Sequence, residues 1–185
     1  MRRGLAAARL PFLGLVLGLI LGAGCKKPSA ERVATGLGNW DVPHATARQV
    51  KDGRCDPVDL NDGRRGVWCY GLPGPRMGSQ PAQVDAYFSD GTAAGSAVGS
   101  GANLDAPLVE LQFSVRACTP TEVDRYLRDR LGIPVQSGRG RAFWENRAIL
   151  VAADLPDAAG ACTIYVYPRR EQAEYDKRKA ATPAN

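Results

Sequence analysis

The chain has 185 residues, of which 44% are hydrophobic, and its formal net charge is +5. Three of its 24 lysine and arginine residues lie in the first 24 positions, which carry no acidic residue, so 21 basic and 19 acidic side chains remain in the other 161 residues. The chain after position 24 is therefore nearly neutral, which is not typical of a nucleic-acid-binding protein. His44 is the only histidine, which severely limits acid–base catalysis and metal binding.

The N-terminal residues have the three-part arrangement of a secretory signal peptide. Arg2 and Arg3 give a positive start, residues 10–21 are almost entirely apolar, and small residues follow at positions 22–24. The apolar run is shorter than the roughly 20 residues that a membrane-spanning helix needs. We therefore predict that residues 1–24 are a cleaved signal peptide.

The sequence Leu21-Gly22-Ala23-Gly24-Cys25 resembles the lipobox of bacterial lipoproteins, with Gly22 where leucine is usual. The resemblance implies cleavage before Cys25, attachment of diacylglycerol to its sulfur, and acylation of the new amine by a chain such as palmitate. It also implies delivery to the outer membrane, because Lys26 replaces the aspartate that retains such proteins in the inner membrane. The lipid anchor would leave the protein facing the periplasm, with surface exposure as the alternative. A secreted protein with an unpaired Cys25 thiol is the other interpretation.

Composition divides the remaining chain into three parts. Residues 25–48 are predicted to be the lipidated N-terminus and a polar tether. Within them, Trp40 either covers an edge of the core or contacts a partner. Residues 49–168 are predicted to be a single domain. Residues 169–185 carry charges of both signs without an apolar stripe, which favours a solvated C-terminal tail.

The four further cysteines predict two disulfide bonds, because an even number in an exported chain is typical of disulfide pairing. No Cys-x-x-Cys occurs, which disfavours a thiol oxidoreductase. We favour Cys55 with Cys69, around a turn at residues 61–63, and Cys118 with Cys162. The two other pairings remain open.

The pattern from residue 108 onward predicts a strand, a helix and three further strands. Apolar and polar residues alternate over 109–117, as in a strand with one face exposed to water. Thr119, Pro120 and Glu122 form a capping-box pattern for a helix that ends at Leu131, before Gly132. Strands at 142–144, 149–153 and 162–167 would form a meander. A Cys118–Cys162 bridge requires an antiparallel sheet, because a parallel return would leave the two cysteines at opposite ends.

The segment at residues 71–107 is rich in glycine and proline. It predicts a weak edge hairpin that includes residues 84–88, followed by a flexible surface loop at 93–102. The fold class predicted for the whole domain is α+β: a small, mostly antiparallel sheet with one packed helix, stapled by disulfides.

Motifs for chemistry are scarce. The chain has no Gly-x-Ser-x-Gly and no phosphate-binding loop. Residues 59–63 resemble the start of a calcium loop but lack the closing glutamate, so we expect a capped turn and no metal or cofactor. Asp85 and Glu110 could serve a glycosidase, but the sequence does not place them in one cleft. Basic residues cluster near aromatic ones and could bind polyanions: Arg64, Arg65, Arg139 and Arg141, with Trp68, Tyr70, Phe143 and Trp144. The candidate binding surface is Trp40, Arg139, Arg141 and Trp144.

These observations favour a non-catalytic, membrane-anchored envelope lipoprotein with a binding or assembly role. We expect no nucleic-acid partner, and an envelope protein is the candidate partner. The alternatives are a periplasmic hydrolase or hydrolase inhibitor, and a purely structural envelope protein.

Overall fold

The computed structural model describes residues 40–95, 103–156 and 160–181. The predicted signal peptide, Cys25 and most of the predicted surface loop at 93–102 lie outside these residues. In the described part, no helix is long and apolar enough to cross a membrane. The strands are β1 Arg54–Asp59, β2 Arg65–Met77, β3 Gln80–Phe88, β4 Leu108–Cys118, β5 Gln136–Gly138, β6 Arg141–Glu145, β7 Ile149–Asp154 and β8 Gly160–Pro168. The helices are α1 Pro120–Leu131 and α2 Gln172–Ala180.

The eight described strands form one antiparallel sheet in the order β1-β2-β3-β4-β8-β7-β6-β5. Two four-stranded meanders therefore meet at the central β4–β8 pair, and α1 connects them. This arrangement confirms the predicted α+β class in outline, with two short helices on the sheet where one was expected.

One face of the sheet, here called the core face, carries the main hydrophobic core. Leu111, Phe113 and Val115 of β4 point into it and are at most 1% exposed. Val123 and Leu127 of α1 are fully buried in the same cluster. Burying a side chain of this size stabilises a fold by about 1.5–3 kcal/mol, so α1 is held by this stripe.

The ends of α1 confirm one part of the capping prediction and correct another. Pro120 stands in the first turn, and Gly132 ends the helix with φ 80°. The Thr119 side chain makes no capping hydrogen bond. The Glu122 carboxylate instead accepts a hydrogen bond of 3.2 Å from the Ser79 backbone amide in the β2–β3 turn. A tertiary contact has replaced the local one.

The opposite face of the sheet, here called the α2 face, carries a second cluster. It contains Phe143, Leu150, Ala152, Tyr167 and Tyr175. Tyr175 of α2 is fully buried, with its ring edge-on to Phe143 at 5.9 Å and to Tyr167 at 6.4 Å between centroids. The prediction of a solvated tail is wrong for residues 172–180, because one aromatic residue docks this helix without an aliphatic stripe.

Residues 65–88 also differ from the sequence prediction. β3 is an interior strand between β2 and β4, not part of an edge hairpin, and Val84 and Phe88 are fully buried. β2 was not predicted, since Pro73, Gly74 and Pro75 lie within it. Register shifts in the β2–β3 pairing accommodate these residues.

The described end of the predicted tether packs on the domain. Val42, Ala45 and Ala47 are at most 3% exposed, and Leu108 donates its amide to the Ala45 carbonyl at 2.9 Å. Arg48 pairs with Asp105 at 2.6 Å, which links the segment to the residues before β4. The domain therefore includes residues 40–48, because small apolar side chains let this segment lie close against the sheet.

Both favoured disulfide pairings are confirmed. Cys55 and Cys69 lie opposite each other on β1 and β2, with a Cα separation of 4.0 Å. Cys118 at the end of β4 is bonded to Cys162 of β8, with a Cα separation of 5.7 Å. The second bond joins the two meanders, and a native disulfide of this kind stabilises a domain by about 2–4 kcal/mol.

Candidate functional site

A half-open groove of about 760 Å³ lies on the α2 face. Residues of β1 and the turn that follows it form one side, and α2 forms the other. α2 packs on β7 and β8, which leaves the part of this face over β2, β3 and β4 open. Such a concave site on a rigid sheet is the usual setting for ligand binding. It is here called the α2 groove.

Strand register places the floor of the α2 groove in two neighbouring rows. In the first row, Trp68 is opposite Tyr87, and Tyr87 is opposite Glu110. In the second row, Gln112 lies between Asp85 and Tyr165. Aromatic rings therefore alternate with hydrogen-bonding groups across the centre of the sheet.

The aromatic part of the floor is continuous across β2 and β3. The Trp68 and Tyr87 rings are parallel within 5°, with centroids 6.3 Å apart. The Tyr70 ring lies 4.5 Å from the Trp68 ring, and its hydroxyl donates to Asp56 at 2.9 Å. All three rings are half-buried. They offer planar apolar surface that water does not solvate well.

The Trp68 indole is poorly satisfied. Among the described residues, its buried Nε1 has no hydrogen-bond partner of normal geometry. The Asp85 carboxyl is close enough that Trp68 lowers its pKa, although burial outweighs this effect and raises the Asp85 pKa overall. The Trp68 indole N–H and the Asp85 carboxyl are therefore neighbours on the α2 face.

Glu110 stands at the centre of the floor and is joined to α2 through Tyr167. Arg178 of α2 donates from Nε to the Tyr167 hydroxyl at 3.0 Å, and Tyr167 is hydrogen-bonded to the Glu110 carboxyl. The Arg178 guanidinium also lies 3.4 Å from the centroid of the Tyr165 ring. One network of contacts therefore connects the α2 wall of the groove to its floor.

Burial raises the pKa of Glu110, and the Tyr167 hydrogen bond and the Arg178 charge only partly oppose it. Burial and the charges of Asp85 and Glu110 raise the pKa of Tyr87 to about 12. The structure therefore brings Asp85 and Glu110 to one face, on either side of Tyr87, which the sequence alone did not establish.

The cations that line the α2 groove already have acidic partners. The closest contacts range from 2.6 to 3.8 Å. The pairs are Arg64 with Asp62 and Glu171, Arg141 with Asp154, Lys177 with Glu174, and Arg178 with Asp154. A polyanion would have to displace these carboxylates, so the geometry disfavours the polyanion interpretation.

The structure separates the four residues of the predicted binding surface. Trp144 is 3% exposed and donates from Nε1 to the Gly132 carbonyl at 2.9 Å, so it belongs to the core. Trp40 lines a different cleft, on the core face. Arg139 is exposed in the β5–β6 turn, and Arg141 is the one residue of the four that lines the α2 groove.

Two other features from the sequence are placed differently: Asp59, Asn61 and Asp62 of the calcium-like segment line the α2 groove, whereas His44 does not. His44 is exposed, 3.2 Å from Asp41, and does not line the groove. In the calcium-like segment, Asp62 accepts hydrogen bonds from Arg64. Across the described ranges, no three histidine, cysteine or acidic side chains come together as a metal site.

Sequence reasoning missed the principal groove residues Tyr87, Tyr165 and Tyr167, and it named Trp68 only as an aromatic near Arg64 and Arg65. One signal was present: aromatic and polar residues recur two positions apart in three segments, at 68 and 70, 85 and 87, and 165 and 167. Residues so spaced share one face of a strand. The order of the strands, which the sequence does not give, was needed to join them.

Comparisons of the chain with protein-family models, with curated proteins and with solved structures find no match.

The raised pKa of Glu110 predicts a pH-dependent effect of Glu110→Gln. The folded protein disfavours the charged Glu110 carboxyl, which lowers the free energy of unfolding of wild type at pH values above the raised pKa. This destabilisation is lost at pH values below the ordinary glutamate pKa of about 4.3, where the carboxyl is protonated in both the folded and the unfolded protein. The substitution should therefore increase the free energy of unfolding more at about pH 7.5 than at about pH 4. Urea titrations of wild type, Glu110→Gln and the exposed-site control Asp129→Asn measure this. A larger gain at the lower pH would contradict it.

Proposed function

We propose that the protein is an outer-membrane lipoprotein that binds a ligand in the α2 groove without converting it. Acyl chains on Cys25 would anchor it, and its sheet domain would face the periplasm. The lipobox-like sequence supports the anchor. The observation that carries the binding role is the floor of the groove, where half-buried aromatic rings and hydrogen-bonding groups share the centre of a rigid sheet.

The length of the chain between Cys25 and the domain limits how far from the membrane such a ligand can lie. Fifteen residues after Cys25 the chain reaches Trp40, where the described domain begins. A fully extended chain of that length spans at most about 50 Å. The α2 groove therefore lies within this distance plus the width of the domain from the anchoring bilayer, and the proposed ligand is an envelope component or an exposed partner in that range. The near balance of charge in the groove gives no support to a nucleic-acid partner.

The side chains of the α2 groove support binding better than catalysis. Among the described residues that line it, there is no serine, threonine, cysteine or histidine to serve as nucleophile or imidazole base. Glu110 is tied to Tyr167 and Arg178. The alternative is a hydrolase that uses Glu110 as a general acid, which its raised pKa favours. Release of product from the ligand would select that alternative.

The anchor is tested by Cys25→Ser. Without the sulfur, no diacylglycerol can be attached, so labelled palmitate should not be incorporated and the protein should leave the membrane fraction. The control is Cys55→Ser with Cys69→Ser, which removes cysteines but not the proposed anchor and should keep the label. Membrane retention of an unlabelled Cys25→Ser protein would contradict the proposal.

The binding role is tested by photocrosslinking in intact cells. A benzophenone amino acid placed at Asn61, which lines the rim of the α2 groove, should give an adduct of higher mass. The same amino acid at Asp129, exposed on α1 at the core face, should not. Benzophenones insert into C–H bonds of any ligand class, so the experiment does not presuppose the ligand. Equal adducts at both positions, or none at Asn61, would contradict the role.

A further inference from the structure

We propose that the ligand of the α2 groove is a neutral oligosaccharide, with sugar rings against Trp68 and Tyr87 and hydroxyl groups on Glu110 and Gln112. This inference rests on the proposed binding function and adds the chemical class of the ligand. It is carried by three properties of the groove: its planar apolar surface, its central hydrogen-bonding pair, and the internal pairing of its charges.

The planar surface suits a pyranose ring. One face of such a ring presents axial C–H groups, which pack against flat aromatic rings, while its edge carries hydroxyl groups. Trp68 and Tyr87 supply parallel rings on adjacent strands, 6.3 Å apart between centroids. Both rings line the α2 groove and keep part of their surface exposed. Aliphatic side chains would give apolar area without this flatness.

The hydrogen-bonding pair suits vicinal hydroxyl groups. Glu110 and Gln112 are two residues apart on β4, so they point to the same face and both line the α2 groove. A carboxyl group accepts from hydroxyls, and a carboxamide both donates and accepts. Tyr167 and Arg178 fix the Glu110 carboxyl in place, so little ordering remains to be done when a ligand binds.

The charge pairing argues against the other polymers that an aromatic groove can take. Among the residues that the structure describes, the lining has four basic and five acidic side chains, and its cations already contact carboxylates, so it has no excess positive charge to attract phosphate. A proline-rich peptide offers carbonyl acceptors and few N–H groups, so it needs donors on the protein. The Trp68 indole donor that such a groove would use is buried, which leaves the Gln112 carboxamide and tyrosine hydroxyls as donors. A sugar hydroxyl needs no such donor, because it can itself donate to Glu110.

The size of the α2 groove points to more than one sugar. Its volume of about 760 Å³ falls in the range of pockets that hold drug-sized ligands, roughly 300–1,000 Å³. The groove is also half-open, so a bound segment can continue beyond it. A segment of a glycan polymer therefore suits it better than a free monosaccharide.

The test is calorimetric titration of the full-length protein, purified from membranes in a detergent without a sugar headgroup. The probes are chitotetraose and maltotetraose, which are neutral, with polyphosphate and decaproline as the competing classes. We expect a neutral oligosaccharide to bind. Preference for chitotetraose would identify glycan of the cell-wall type, and preference for maltotetraose would identify glucan. Both outcomes support the inference.

Substitutions in the α2 groove test whether the oligosaccharide binds there. Tyr87→Leu keeps apolar bulk but removes the flat ring, and it should weaken oligosaccharide binding about ten-fold or more. Tyr126→Leu is the matched control, because Tyr126 lies on α1 at the core face. Glu110→Gln, which needs no change of shape, should weaken binding severalfold and provides a second test if Tyr87→Leu proves unstable. Oligosaccharide binding that Tyr87→Leu and Glu110→Gln leave unchanged would overturn the inference.

The remaining outcomes separate this inference from the proposed function. If the crosslinker at Asn61 gives an adduct but neither oligosaccharide binds, the ligand class is wrong and the binding role stands. Groove-dependent binding of polyphosphate or decaproline would also overturn the ligand class. If there is no adduct and no binding, both proposals fail. Shortened sugars after incubation would support the ligand class and overturn the non-catalytic role.

Discussion

The docking of α2 over one half of the α2 face is the constraint on which the candidate site depends. Tyr175 is buried between Phe143 and Tyr167, which holds the helix over β7 and β8. The same face over β2, β3 and β4 then has no helix above it. Side chains there are partly exposed to water and also pack against their neighbours on the sheet. Tyrosine, tryptophan, glutamate and glutamine suit both conditions. The groove is the space that this unequal coverage leaves.

The network of Arg178, Tyr167 and Glu110 fixes the position of the groove wall relative to the groove floor. It links the helix that forms the wall to the strand that forms the centre of the floor. The arrangement has a cost, because a carboxyl is held with a raised pKa and the Trp68 indole N–H lacks a well-placed partner. Proteins concentrate such local departures from the most stable choice at functional sites. Here both fall within one groove.

The sequence predicted the elements whose local signals agree with their environment. β4 alternates strictly, α1 has Pro120 and Gly132 at its ends, and the meander of β6, β7 and β8 consists of short apolar runs between turns. The Cys118–Cys162 pairing and an antiparallel sheet were predicted together, because each requires the other. In each case the information lies within a short stretch of chain, or in one geometric requirement that connects two stretches.

The remaining features depend on contacts between distant residues. β2 contains Pro73 and Pro75, which local rules exclude from strands, yet bulges and neighbours on both sides retain it. α2 has no apolar stripe, so its docking through Tyr175 is explained only by the contacts of that ring with Phe143 and Tyr167 on the sheet. Trp144 and Arg141 are close in sequence, but strand alternation sends one to the core and the other to the groove. The site could not be assembled without the order of the strands.

The central claim is that α2 is a docked helix and one wall of the groove, not a solvated tail. Amide hydrogen–deuterium exchange of residues 172–180, measured by mass spectrometry on the full-length protein, tests it most directly. The account predicts protection of these amides far above that of an unstructured peptide, because the helix is held to the sheet through Tyr175 and Arg178. Exchange at the rate of an unfolded chain would contradict it.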